Sequence, residues 1–273
     1  MTAFKDQSAF SPLRIVIYAC IAVFLYTLIS ITADMSRLHE IPALALRHPA
    51  TTALIEQRKD EARARKRTLK IQRSIVSYGS ISPYLVNAIL VAEDAGFWQH
   101  HGIDYDGIAH AIRENWKHRR YLYGGSTITQ QLAKNLFLGT RKTMTRKIAE
   151  FLYAKALEEK LKKRRILELY LNSIEWGPGI YGCEAAARTY FATSAAELSA
   201  EQAIRLAAII INPRRYAPDT ETPVIIYRRR FIAQTMLEAG HLDTNAFSIL
   251  PFFMTNNTTN TFTNTAEEKS SNE

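Results

Sequence analysis

Cysteine is nearly missing from this chain: Cys20 and Cys183 are the only two in 273 residues. That excludes a disulfide framework and a four-thiolate zinc site, so stability must come from packing. A hydrophobic content of 47% is enough for a core and excludes a wholly disordered protein. No run of alternating strands, no internal repeat and no helix-turn-helix arrangement is visible. A nucleotide cradle is missing as well, because Lys134 follows Gly125 by nine residues and the P-loop spacing is not met. Acidic side chains are in deficit, 26 against 35 Lys plus Arg, giving +9. Such a balance favours anionic partners, whether phosphates, acidic lipid or nucleic acid, without choosing among them.

One long stretch lacks charge altogether. Residues 15–33, IVIYACIAVFLYTLISITA, would extend roughly 28 Å as a helix at ~1.5 Å per residue, about one hydrocarbon thickness. The stretch is longer than a signal-peptide core and has no small-x-small cleavage site at its end, so it reads as an uncleaved transmembrane anchor behind an N-terminal tail, 1–14. Lys5 and Arg14 on one flank balance Arg37 and Arg47 on the other, which leaves orientation to be argued from chemistry.

Residues 34–74 read as a basic linker or helix. Within it, 51–73 carry eight basic and three acidic side chains. This is either a solvated helix or a collar on acidic headgroups, where each cation contributes about 1 kcal/mol. Residues 241–273 read as a disordered tail, Thr/Asn-rich at 255–265. Between them, 75–240 reads as helical. Ser82-Pro83 looks like an N-cap with proline at N1, Ser199 with Gln202 a capping box, and Ile148, Phe151, Leu152, Leu157 and Leu161 a buried stripe. The expected fold class is all-α.

Three constellations can carry chemistry. EDAGFWQHHG, 93–102, places Glu93 at the end of an apolar helix, where lost hydration raises a carboxyl pKa and suits it to proton transfer. An exposed helix end is the plain alternative, and a metal set of Glu93, Asp94, His100 and His110 is a further one. GGSTITQQLAKNLFL, 124–138, presents backbone N–H groups with Ser126, Thr127 and Thr129 at a helix start, able to hold phosphate or sugar, or simply to cap the helix. The helix KTMTRKIAEFLYAKALEEKL sets Lys142, Arg146 and Glu150 one turn apart on a single face, as a surface ion pair or as part of a site.

These residues resemble the peptidoglycan glycosyltransferases of family 51, in particular the monofunctional membrane-anchored branch. EDAGFWQHHG, GGSTITQQLAKN, RKIAE with Ala154 and Leu157-Glu158, KRRILELYLNSIEWGPGIYGCEAAARTYF (163–191) and NPRRYAP (212–218) match five family blocks in order. The resemblance implies a lysozyme-like, two-lobed helical domain. Its substrate would be lipid II, polymerised into glycan strands with release of polyprenyl pyrophosphate. It also implies residence in the bacterial inner membrane as a single-pass protein, with a cytoplasmic tail and the catalytic domain on the periplasmic face. Cell-wall synthesis or division proteins are implied as possible partners, and nucleic acid is not. By resemblance Glu93 is the general base. Lys134, Lys142 and Arg146, with Lys155 weaker, receive the pyrophosphate, and Glu150 orients these cations or binds a divalent metal such as Mg or Mn. Asp94, Phe97, His100, Gly125, Ser126, Thr127, Gln130, Gln131, Asn135 and Lys147 complete the implied substrate site.

The chain departs from the family pattern at Gly107-Ile108-Ala109-His110-Ala111, where His110 replaces an arginine and Arg113 is the candidate substitute. A weak or silent scaffold of the same fold is therefore one alternative, and a lysozyme-like cleaving enzyme another, although the cation cluster argues against cleavage. Residues 103–123 mix aromatics with cations, which suits either an interfacial segment or a core helix and its flank. S-x-x-K and K-T-G motifs are lacking, so crosslinking activity is not expected.

Overall fold

An apolar segment that leaves water must satisfy its own backbone, and this one does so as helix α1, Pro12–Asp34, which buries no residue against the rest of the chain. The structure is a computed structural model that describes residues 12–117, 124–141 and 143–254. By length and composition α1 can cross a membrane. Thr27 and Thr32 turn their hydroxyls back onto the Val23 and Ile29 carbonyls, so neither is left without a partner in the apolar helix. A 3₁₀ segment, Leu38–Ala45, then seats Ile41 and Leu44 in the core.

Helix α2, Ala53–Ala64, starts at Thr52, whose hydroxyl accepts from Ile55 N at 3.2 Å. The basic stretch is therefore a packed helix over its first half. Leu54 and Ile55 are buried with Tyr181, and Arg58 pairs with Glu175 at 3.0 Å and Glu61 at 2.9 Å. Beyond it, Arg63, Arg65, Lys66, Arg67 and Lys70 are solvated.

The expected all-α architecture is present, with one small sheet added to it. Strand β1, Gln72–Arg73, runs parallel to β3, Ile180–Tyr181, which pairs antiparallel with β2, Glu175–Gly177. Gly179, at φ +81°, makes the β2–β3 turn; a Cβ there would lie 2.3 Å from the Lys70 carbonyl oxygen, so only glycine fits. Strands of two or three residues give too little alternation to be read from sequence.

The body is helical: α3 (Pro83–Glu93), α4 (Tyr105–Lys117), α5 (Ile128–Ala133), α6 (Met144–Lys160), α7 (Lys163–Leu171), α8 (Cys183–Phe191), α9 (Ala200–Ile209), α10 (Pro223–Glu238), α11 (Thr244–Ser248) and α12 (Pro251–Met254). Apolar α3 packs between α9 and α10, while α5 lies on α6 and α7. The Ser199–Gln202 capping box forms. Ser82 does not cap its own helix; its hydroxyl donates to the Leu198 carbonyl at 2.8 Å, and Pro83 supplies the preset N1 turn. On α6 the buried face is Ala149, Glu150, Tyr153, Ala154 and Leu157, while Ile148 and Leu152 stay exposed. The stripe is rotated by about one residue because the charged Glu150 itself faces inward.

The folded unit is wider than 75–240. Ile41 and Leu44 before it, and Leu242, Leu250 and Phe252 after it, lie in the same core, and Arg230 Nε donates to the Phe252 carbonyl at 2.8 Å.

Candidate active site

Helix α3 carries Glu93 to the wall of a cavity of about 330 Å³, whose lining includes Asp94, Ser126, Tyr227, Arg228 and Phe231. Both carboxylate oxygens are held. Arg228 of α10 donates to Oε1 at 3.1 Å, and the Gln131 amide of α5 donates to Oε2 at 3.0 Å. Arg228 is itself fixed by its Nε donating to the Ala208 carbonyl at 3.1 Å. The Glu93 side chain is 15% exposed. Burial lifts its pKa above the ordinary carboxylate range, against the opposing pull of Arg228, the Gln131 bond and the Lys134 charge. The plain reading of an exposed helix end is therefore wrong for Glu93. Its unfavourable place at the negative end of a helix is offset by a guanidinium from another element.

Asp94, next in the chain, ties the first block to the second. It accepts from the His100 ring Nε2 at 2.9 Å and from Ile128 N, the first residue of α5, at 2.8 Å. His100 Nδ1 accepts from Gly102 N, and the Gly102 carbonyl accepts from Thr127 Oγ1 at 2.6 Å. With Nδ1 an acceptor, Nε2 bears the proton that goes to Asp94. Thr127 and Gln130 close a reciprocal capping box at the start of α5. Phe97 is fully buried beneath the Lys163 ammonium, 4.4 Å from the ring centroid. The polar atoms of Asp94, His100, Thr127 and Gln130, and the ring of Phe97, thus join two chain segments. Gly125 lines the cavity, and a Cβ there would press on Ile108 at 3.2 Å.

Beyond α5 the chain makes one π-helical turn, Lys134–Leu138, closed by Gly139 N donating to the Lys134 carbonyl at 2.8 Å, with Asn135 buried inside it. Lys134 is half-buried. Burial lowers its pKa, Glu150 and Glu93 act to raise it, and Arg146 and Lys147 act to lower it, so these charges share one field. Glu150, 3% exposed, accepts from Arg146 NH1 and from Lys147 Nζ, each at 2.5 Å. Lys147 also donates to Ser126 Oγ at 3.0 Å. Arg146 Nε is buried with no hydrogen-bond partner among the described residues. Three cations around one carboxylate, with a donor to spare, form a site for an anion carrying more than one charge.

Lys142 lies outside the described residues. Lys155 is solvent-exposed on α6, five residues past Glu150 and so on another face. Arg113 is exposed on α4, and His110 lines the cavity. Both Glu150 oxygens are held by cations, and no group of three His, Cys, Asp or Glu able to hold a metal occurs among the described residues, the set Glu93, Asp94, His100 and His110 included.

Sequence reasoning missed Arg228, Tyr170, Tyr227 and Phe231. Tyr170 Oη donates to Gln131 Oε1 at 3.0 Å, and Tyr227 and Phe231 stack at the cavity wall with centroids 6.5 Å apart. A signal existed for Arg228. Three successive arginines on a helix, 228–230, point about 100° apart, so they cannot all reach solvent. Arg229 is 1% exposed, and Arg228 meets Glu93.

Residues 60–237 match the family described as Transglycosylase. A Nitrosomonas eutropha protein named biosynthetic peptidoglycan transglycosylase is 48% identical over 185 residues, 68% of this chain and 76% of that one. Proteins of the same name from Nitrosospira multiformis and Methylobacillus flagellatus are 44% and 51% identical, covering 71% and 59% of this chain and 84% and 70% of theirs.

Proposed function

This chain belongs to the transglycosylase family and is a peptidoglycan glycosyltransferase, and from that premise we propose that it polymerises lipid II at the cleft between Glu93 and the Lys134, Arg146 and Lys147 cations. The Glu93 carboxylate accepts the proton of the acceptor sugar's 4-hydroxyl. That oxygen forms a bond to the anomeric carbon of the donor strand from the face opposite the leaving group, and the bond to the polyprenyl diphosphate breaks with inversion. The diphosphate takes the bonding electrons, and the cations around Glu150 stabilise the charge that develops on it. Glu150 holds Arg146 and Lys147 in place, and Ser126 is positioned through Lys147.

The observation that carries this reading is a buried Glu93, bonded by Arg228 and Gln131, beside a cation set carried on the π-helical turn and α6. The apolar surface fits a lipid-linked substrate. Tyr227 and Phe231 are exposed at the cavity, and α1 is long enough to hold the domain at a bilayer. Lipid II is presented at the outer face of the inner membrane, so we place the domain on the periplasmic side. His110 favours neither alternative, since Arg146 and Lys147 already supply permanent charge beside the diphosphate position.

The full-length protein in detergent, given labelled lipid II, is expected to make long glycan, and Glu93→Gln to make none while still binding substrate. Cleaved glycan, or turnover by Glu93→Gln equal to the unaltered protein, overturns the assignment.

A further inference from the structure

The Gln131 amide that bonds the acid is itself held by a second side chain. Tyr170, on α7, is fully buried, and its hydroxyl donates to Gln131 Oε1 at 3.0 Å. An amide has two faces, and the need of the buried Tyr170 proton for an acceptor, met here by Oε1, favours turning Nε2 to Glu93. With Oε1 occupied by a donor, Nε2 must point to Glu93 Oε2, and it does so at 3.0 Å. Were the amide reversed, its oxygen would face a carboxylate oxygen, an arrangement that only a protonated Glu93 can satisfy.

We infer that Tyr170 is a positioning residue that locks the Gln131 amide in the orientation favouring ionised Glu93, and so keeps the base ready to accept a proton. Burial pushes the Tyr170 pKa well up, which keeps its hydroxyl protonated as the required donor. This deepens the proposed reading and rests on Glu93 being the base. The hydroxyl is well suited to the task because it is rigidly mounted. Its ring is wedged in the core, and α7 lies directly against α5, so the donor cannot move away as a solvated one would.

Other groups set the charge state of Glu93 too. Arg228 of α10 faces it directly, and Lys134 acts from the π-helical turn. Asp94 lies beside it in the chain, Asp104 and His110 of the α4 region and Tyr227 of α10 line the same cavity, and Arg146, Lys147 and Glu150 of α6 act on Lys134. Changing Tyr170 leaves all of these in place. The sign follows from the bond: a donor to the carboxylate stabilises its charged form, so releasing the amide raises the pH at which Glu93 ionises.

The test is Tyr170→Phe in the full-length protein, assayed on lipid II across pH. The acid limb of the kcat/KM profile is expected to move to higher pH, and kcat at neutral pH to fall about tenfold with KM nearly unchanged, the scale of one hydrogen bond to a charged group. A packing defect alone would lower thermal stability without moving that limb. Gln131→Met supplies the second arm. With the amide gone, adding Tyr170→Phe should cause no further shift of the limb, and an equal shift in both backgrounds overturns the proposal. A Tyr170→Phe profile superimposable on that of the unaltered protein, with Glu93→Gln inactive, overturns the lock while leaving the base assignment standing. Turnover by Glu93→Gln removes the base assignment itself.

Discussion

Replacing Glu150 by glutamine keeps the shape of the side chain and removes its charge, which makes it the sharpest probe of the cation set. Glu150 is 3% exposed and bonds Arg146, 13% exposed, and Lys147, 45% exposed. Breaking a buried pair by deleting one partner costs about 3–5 kcal/mol where the survivor cannot reach water. Lys147 can turn outward, so its share is that of a surface pair, under about 1 kcal/mol. Arg146 is more confined, and a loss of roughly 2–3 kcal/mol is expected for the whole substitution, within a total stability of about 5–15 kcal/mol. Two-state urea unfolding of the full-length protein in detergent reads this directly. The more telling measurement adds inorganic pyrophosphate. Without Glu150 the three cations lack their counter-charge, so pyrophosphate should raise the melting temperature of the variant by more than that of the unaltered protein, through binding to the folded state alone. Polymerisation should nevertheless fall about a hundredfold or more, because Arg146 and Lys147 lose the carboxylate that sets their positions. Unchanged stability together with an unchanged pyrophosphate response would refute the idea that these side chains form an anion site organised by Glu150.

Two further predictions concern the ends of the same cleft. Burial raises the Glu93 pKa and lowers that of Lys134, so the base takes up its proton at a higher pH than a free carboxylate and the cation loses its proton at a lower pH than a free lysine. Activity should therefore fall off on both sides within a window narrower than free side chains would give, and Lys134→Arg should extend the alkaline side; an alkaline limb indifferent to that change would remove Lys134 from the site. Thr127→Val should cost about 0.5–2 kcal/mol of stability through the lost helix cap and leave KM for lipid II close to unchanged. A large rise in KM with no loss of stability would instead make Thr127 a substrate contact.

Much of the fold was legible because helical periodicity survives in long elements. The anchor, α3 and α9 with its capping box follow from apolar spacing and end signals alone. The sheet escaped because two paired residues carry no period, and the α6 stripe was misjudged because a buried carboxylate breaks the rule that charge faces out. At the site, motif order pointed to Glu93, Lys134, Arg146 and Glu150, and the charges of Glu93, Arg146 and Glu150 all act on Lys134. What the order of blocks hides is the work each residue does. Asp94 and Thr127 stand beside chemistry in the chain, yet spend their oxygens on bonding one block to the next. Arg228 and Tyr170 lie 135 and 39 residues from the groups they bond, Glu93 and Gln131; the arginine run 228–230 signals that one member turns inward, but no local pattern names the partner at that separation.

The same long-range bonding joins the apolar helix α1 to the candidate site. Tyr153 Oη donates to the Asp34 carbonyl at the end of α1 and accepts from Arg37 N, so the last turn of α1 is fastened to α6 three residues beyond Glu150. Arg37 continues the link, donating to the Leu136 carbonyl at 3.0 Å and lying 5.4 Å from the centroid of the Phe137 ring, which stacks on Tyr153. Leu136 and Phe137 belong to the π-helical turn that begins with Lys134. The chain that leaves the apolar helix therefore bonds both elements bearing the cations, the π-helical turn and α6. On the proposed reading, with α1 in a bilayer, the depth and tilt of that helix set where Lys134, Arg146 and Lys147 stand relative to the membrane plane. A proposed substrate whose charged diphosphate lies at that plane would then meet cations already set at its height, and the entropy of ordering them would be met by folding rather than by binding.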